Sequence, residues 1–266
     1  MARVIRDVVY ASFPGFRPLA LDLHLPQARE GRPPVVLYLH GGGWLRGTRR
    51  QFSPTVTPSA SFGRIARAGF AVVAADYRLS GEAHFPAQLD DVRAAVDWIR
   101  DEGASHYGLD GDRLVLWGGS AGGTLAALVG LEPATRARGI VDWYGPSDLR
   151  AMEQHTRALG TDAPGHSRED RWLGGWVAEL PDAARGASPI AHVHASAPPF
   201  HLAHGTDDDS VPTSQSTALA AALEAHGVPV ELLLEEGAGH FWQKTSPARV
   251  RALVDAAIAF AARVTA

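Results

Sequence analysis

The chain has 266 residues, 45% of them apolar, a formal net charge of −4 and no cysteine. It is long enough for one large α/β domain and too apolar for a disordered segment. Disulfides, thiolate metal sites and a cysteine nucleophile are excluded, and positive charge that comes almost wholly from scattered arginine argues against nucleic acid as a partner.

Met1–Ser12 carries two arginines but no apolar stretch of the signal-peptide kind, and no apolar run reaches the length of a membrane span. The expectation is a soluble, cytoplasmic protein, monomeric or homodimeric. Val4–Tyr10 and Leu19–Leu25 predict two strands. In the second, Leu21, Leu23 and Leu25 alternate with Asp22 and His24, and Pro14-Gly15 supplies the turn between them. Val35–Leu39 is a continuous apolar run, as in a parallel sheet covered on both faces. It leads into His40-Gly41-Gly42-Gly43-Trp44, where consecutive glycines leave backbone amides open to close approach.

A helix is predicted from about Ser59 to Arg67, stopped at Gly69, followed by a strand over Phe70–Ala75. Gly81–Pro86 reads as a loop. From Gln88, the residues Leu89, Val92, Val96 and Ile99 recur at helical spacing, and that helix is expected to end near Gly103. Asp110-Gly111 is read as the turn into the strand Leu114–Trp117. A glycine-crowded turn follows, Gly118-Gly119-Ser120-Ala121-Gly122, and then a helix of small and apolar residues, Thr124–Val129. This is the G-x-S-x-G pattern of a sharp strand-to-helix turn that exposes a serine hydroxyl, with the Ala121 amide at a helix N-terminus. Gly139–Tyr144 is the next strand. Gly145–Ile190 breaks the rhythm with Gly160, Pro164, Gly165, Gly174, Gly175, Pro181 and Gly186, and is read as an irregular insertion with one or two short helices. Strands over Pro199–Ala203 and Val230–Leu234 flank a helix at Ser214–Ala225, and Pro247–Arg263 is the last helix.

The alternation from Val35 onward predicts a doubly wound, mostly parallel eight-stranded sheet with helices on both faces. It forms a single domain over 1–266 with a small cap insertion at about 147–190. A serine, an aspartate cluster at Asp207-Asp208-Asp209 and His240 fall at the ends of three strands. Serine needs a base to become nucleophilic, histidine suits that task at neutral pH, and a carboxylate holds the imidazole in the required tautomer.

Six pieces carry a resemblance: His40-Gly41-Gly42-Gly43-Trp44, Asp76-Tyr77-Arg78-Leu79, Gly118–Gly123, Tyr144–Leu149, His204-Gly205-Thr206-Asp207-Asp208 with Val211-Pro212, and Gly237-Ala238-Gly239-His240. On them the chain resembles α/β-hydrolases of the esterase branch that includes the hormone-sensitive-lipase-like and BD-FAE-type carboxylesterases. The resemblance implies Ser120 as nucleophile, His240 as base and an oxyanion hole from the amides of Gly42, Gly43 and Ala121. The family pattern sets the acid four residues after the His of His-Gly and four before the Pro of Val-Pro, and Asp208 alone satisfies both counts. Asp-Ser-Val-Pro stands where the lipase-like group has Asp-Pro-Leu, and the first strands begin almost at once. Both features turn the reading toward the smaller BD-FAE-like and formamidase-like enzymes.

Trp44, Trp143 and Tyr144 are candidates for the substrate pocket, although aromatic residues there serve equally as packing. His192 and His194 lack a third ligand at metal spacing, so no metal is expected, and no cofactor. The expected activity is hydrolysis of short-chain or acetyl-type carboxylic esters, with a small-molecule ester as partner and neither nucleic acid nor membrane. An arylformamidase is the alternative chemistry. A prolyl-oligopeptidase-type peptidase shares the serine turn but lacks the third glycine of the loop. A catalytically silent binding protein is the alternative from another class.

Overall fold

The computed structural model describes residues 3–27, 31–160 and 163–266, without the side chains of 58–60. Met1 and Ala2 of the N-terminal reading, and Thr161 and Asp162 of the expected insertion, lie outside the described residues.

Eight strands form one sheet: β1 Arg3–Ala11, β2 Leu19–Leu25, β3 Pro34–Leu39, β4 Ala71–Ala75, β5 Asp110–Gly119, β6 Gly139–Trp143, β7 Phe200–Gly205 and β8 Val230–Glu235. Their spatial order is β1-β2-β4-β3-β5-β6-β7-β8. β2 pairs antiparallel with β1 and β4, and every pairing from β4 to β8 is parallel. The helices are α1 Pro58–Arg67, α2 Ala87–Trp98, α3 Ala104–Tyr107, α4 Ala121–Leu131, α5 Leu149–Leu159, α6 Arg168–Leu173, α7 Pro181–Gly186, α8 Ser214–Ala225 and α9 Pro247–Val264. This is the expected α/β-hydrolase architecture. Among the described residues no helix is long and apolar enough to cross a membrane.

The continuous apolar strands are explained by two cores. In β3, Val35, Leu37 and Leu39 enter one cluster, with Leu89 and Val92 of α2 and Leu125 and Val129 of α4. Val36 and Tyr38 enter the other, with Phe62 and Ile65 of α1 and Val254 and Phe260 of α9. β5 divides in the same way, Leu114 and Leu116 against Val115 and Trp117. Period-two alternation thus feeds both faces, and each face needs its own helical layer.

Three boundaries differ from the sequence reading. Asp110-Gly111 is not a turn but the start of β5. Gly103 does not end the second helix. α2 runs through a π-helical turn, Ile99–Gly103, into α3, and stops at Gly108 with a left-handed φ of 67°. Gly103 is there for packing: a Cβ on it would lie 3.0 Å from Leu109 Cδ1 and 3.3 Å from Trp98. The segment after β6 is largely helical, holding α5, α6, α7 and two 3-10 turns. Its glycines and polar residues act as caps. Asp148 accepts from the amides of Arg150 and Ala151, Ser167 and Asp170 form a capping box, and Gly160 and Gly174 close α5 and α6 in the left-handed conformation.

The turn between β5 and α4 tolerates no Cβ at Gly118 or Gly122. One on Gly122 would overlap the carbonyl oxygens of Leu39 and His40, and one on Gly118 the carbonyl of Gly122. Because those obstacles are backbone, Gly122→Ala is expected to lower unfolding free energy by about 3 kcal/mol, the upper range for overpacking. Urea denaturation checks this.

Candidate active site

Ser120 sits between β5 and α4 with φ 55° and ψ −127°, a strained backbone conformation that turns its side chain away from the helix axis. Two backbone hydrogen bonds hold it there: its amide donates to Trp143 O at 2.8 Å, and its carbonyl accepts from Thr124 N at 3.1 Å. Trp44, Tyr144, Phe241 and Trp242 also have positive φ. The strain is therefore concentrated in the loops that meet at the C-terminal ends of β3, β5, β6 and β8, where open α/β sheets place their sites.

His240, in the loop after β8, has Nε2 3.1 Å from Ser120 Oγ and Nδ1 2.6 Å from Asp208 Oδ2. The structure therefore brings together the three residues expected from sequence, and Asp208 is the aspartate that reaches the imidazole. Its other oxygen accepts from the amides of Ser210 and Val211, each at 2.9 Å. Burial pushes the Asp208 carboxyl pKa upward, but hydrogen bonds from His204 and His240 outweigh it and hold the group well below the usual carboxylate range. Asp208 is thus ionised at neutral pH, as a group that must hold a histidine proton at Nδ1 requires. Asp207 and Asp209 are exposed.

His204 packs under the acid loop. It is fully buried, with Nδ1 2.7 Å from Ser216 Oγ, and Nε2 2.9 Å from Val211 O and 3.3 Å from Asp208 Oδ2. His40 braces the glycine loop: its Nδ1 lies 2.9 Å from Gly41 O, its ring stacks on Tyr77 at 4.3 Å, and Tyr77 Oη donates to its carbonyl at 2.7 Å. Burial lowers the His40 pKa, which keeps it neutral. Among the described residues, the amides of Gly42 and Gly43 have no protein acceptor. The Ala121 amide heads α4 and so lacks an intrahelical one. These donors are available to an oxyanion.

Beside the histidine and the glycine loop lies a cavity of about 590 Å³, lined by Leu45, Arg46, Gln51, Phe52, Ser53, Pro54, Arg168, Ser210 and Phe241. Trp44 and Trp143 do not line it. Trp44 is 1% exposed and stacks face to face on Trp172 of α6, with centroids 4.0 Å apart and planes 6° from parallel. Trp143 is 1% exposed and packs edge-on to Trp117 and Trp242. Both side chains are taken up by aromatic neighbours in the core. Tyr144 lies behind the histidine, edge-on to His240 at 4.9 Å, and is likewise buried. Sequence reading missed the cavity residues. Arg46 and Phe241 adjoin recognised motifs, but Arg168 reaches the glycine loop only through the fold of the 147–190 segment. Trp172 Nε1 donates to Gln88 Oε1 at 2.9 Å, which fastens that segment to α2. His192 and His194 serve separate carbonyls, Gly186 O and Leu131 O. Among the described residues no group of three potential metal ligands assembles.

The BD-FAE family model matches residues 21–223. Esterase LipQ of Mycobacterium tuberculosis is 32% identical over 94% of this chain and 60% of its own length. The probable carboxylic ester hydrolase LipM of the same organism is 32% identical over 81% of this chain and 52% of its own. The chain thus spans between about half and three-fifths of these curated relatives. Among solved structures, a bifunctional GH43-CE protein of Bacteroides eggerthii superposes with a TM-score of 0.83 and 29% identity, covering 99% of this chain and 38% of that one. A propionate-bound thermophilic esterase of Thermogutta terrifontis superposes at 0.77 with 25% identity, over 99% and 94% respectively.

Proposed function

The chain belongs to the BD-FAE family, and on that premise we propose that it is a serine carboxylesterase acting on short-chain, acetyl-type esters through an acyl-enzyme. The observation that carries the reading is the continuous hydrogen-bonded line from Asp208 through His240 to Ser120 Oγ, with bonds of 2.6 and 3.1 Å. In this reading His240 Nε2 takes the Ser120 proton as Oγ attacks the ester carbonyl. The amides of Gly42, Gly43 and Ala121 receive the oxyanion. His240 then returns the proton to the leaving alcohol, and a water activated the same way releases the acid. Asp208 stays ionised throughout and stabilises the imidazolium. No metal or cofactor enters the proposal.

The short acyl preference is supported by the propionate- and butyrate-bound forms of the Thermogutta esterase. The 147–190 segment is proposed to act as a small cap within a single domain spanning 1–266, since Arg168 of α6 lines the cavity and Trp172 packs on Trp44.

The test is hydrolysis of p-nitrophenyl acetate, butyrate and octanoate together with intact-mass mapping of a phosphonate adduct. Acetate and butyrate are expected to turn over faster than octanoate, with the adduct on Ser120. An adduct at Ser120 without ester turnover would move the substrate class to formamides. Absence of both would remove the nucleophile assignment.

A further inference from the structure

We propose that Arg46 and Arg168 form a carboxylate-binding subsite in the catalytic cavity, so that the favoured esters carry a carboxylate near the scissile carbonyl. The inference rests on the esterase reading and narrows its substrate class.

Both arginines line the same cavity as Gly41, Gly42, Gly43 and His240. Their stems lie against the glycine loop from two directions. A Cβ on Gly43 would come within 2.5 Å of Arg168 Cδ, and one on Gly42 would overlap the Arg46 carbonyl, with Arg46 Cγ at 3.3 Å. Gly43 therefore admits the Arg168 stem, and Gly42 the backbone turn that carries Arg46. Among the described residues neither guanidinium has a hydrogen-bond or ion-pair partner. Arg17, Arg49, Arg50, Arg78 and Arg93, by contrast, are each paired with a carboxylate.

An exposed unpaired arginine is unremarkable by itself, because water solvates it. The placement of these two is what argues for a ligand. Among the described residues, the only other ionisable ones lining the cavity are His40 and His240, and no aspartate or glutamate lines it. A chain with a net charge of −4 thus presents a locally cationic cavity beside its nucleophile. Asp209 and Glu169 line an adjoining cleft with Arg168; among the described residues neither forms an ion pair with it, although burial pushes the Glu169 carboxyl pKa up and the Arg168 charge pulls it part of the way down. Arginine presents a planar fork of N–H donors that fits a carboxylate bidentately, and two such forks beside Gln51 and Ser53 make an anion site of useful strength. The same field raises the encounter rate of an anionic substrate, an effect that salt screens.

The experiment compares matched esters within each enzyme. p-Nitrophenyl hemisuccinate is set against its methyl-capped counterpart for a carboxylate on the acyl side, and 4-acetoxybenzoate against its methyl ester for the alcohol side. For Arg46→Gln/Arg168→Gln, the ratio of kcat/KM for the charged member to that for its neutral partner is expected to fall about 100-fold on one of the two pairs, roughly tenfold for each charge-assisted contact. The loss should reside in KM. Arg46→Lys/Arg168→Lys should retain part of the ratio, which separates charge from packing. An unchanged ratio on both pairs would overturn the proposal. Failure of the esterase reading has a different signature, no turnover of the neutral members and no phosphonate adduct on Ser120. In that case calorimetry of glutarate binding to wild type and the double Gln variant decides the subsite: weaker binding by the variant supports it, and equal or absent binding overturns it.

Discussion

Ser120→Ala is expected to cut kcat for p-nitrophenyl acetate by roughly 10⁶-fold, His240→Ala by a similar factor, and the double variant by little more than either alone. The non-additivity follows from the geometry. The imidazole touches the reacting hydroxyl through Nε2, so a base without a nucleophile, or the reverse, has nothing to do. Asp208→Asn should cost about 10⁴-fold and leave the fold intact, because the asparagine amide would present a donor to Nδ1 and favour the wrong tautomer. Asp208 also accepts from the amides of Ser210 and Val211, and the retained carbonyl of asparagine can keep those two bonds. Asp207→Asn and Asp209→Asn serve as neighbours of equal charge. Both side chains are exposed, and both variants should stay within about threefold of wild type. Steady-state kinetics of the six variants, with circular dichroism to confirm folding, is the measurement. A large loss at Asp207 or Asp209 would contradict the assignment of the acid.

The second large effect concerns stability. Asp142 on β6 is 1% exposed, and burial pushes its carboxyl pKa up to about 7, against which the His204 charge and the Gly145 amide pull only weakly. Gly145 N donates to Oδ1 at 3.1 Å, and Gly123 is so close that a Cβ there would overlap the same oxygen. In the unfolded chain the group titrates near its ordinary value, about 3.9. Below that pH both states hold the proton and Asp142 carries no penalty. Between about pH 4 and 7 the unfolded state releases its proton while the folded state keeps it, so stability falls as pH rises and levels off above 7. A displacement of about three units corresponds to on the order of 4 kcal/mol. Asp142→Asn keeps an acceptor for Gly145 and removes this dependence. Thermal midpoints at pH 5 and pH 8 are expected to separate in wild type by several degrees more than in the variant. Equal separation would show that Asp142 ionises freely in the folded protein. Asp208 acts in the opposite sense. Its depressed pKa contributes stability above about pH 4 that is lost on further acidification.

Much of this was legible because the signals were local. Short apolar runs rich in β-branched residues or bounded by glycine turns read as strands buried on both faces, and Val35–Leu39 and Leu114–Trp117 lie where the sequence puts them. Ser120, Asp208 and His240 stand at strand ends, so reading the strands positioned the side chains. The errors have a common source. Glycine was read as a breaker wherever it was dense, yet Gly160 and Gly174 terminate helices in the left-handed conformation, and Gly103 sits in a continuous helical stretch because Trp98 and Leu109 leave no room for a Cβ. The capping residues Asp148, Ser167 and Asp170 were present in the sequence as the complementary signal. The cavity lining was not readable in this way. Whether a tryptophan faces a pocket or another tryptophan depends on which distant segment covers it, and the partner of Trp44 lies 128 residues away at Trp172.

That pairing also bears on how molecules enter and leave. Trp44 and Trp172 are almost wholly withdrawn from water, Phe85 meets Trp172 edge-on at 5.3 Å, and Phe85 N donates to Trp172 O at 2.8 Å. Swinging α6 away from the glycine loop would wet two indole faces at once, a cost of several kcal/mol for rings of this area. Under the proposed mechanism, substrate and product would then pass through the mouth of the cavity beside the glycine loop with α6 in place.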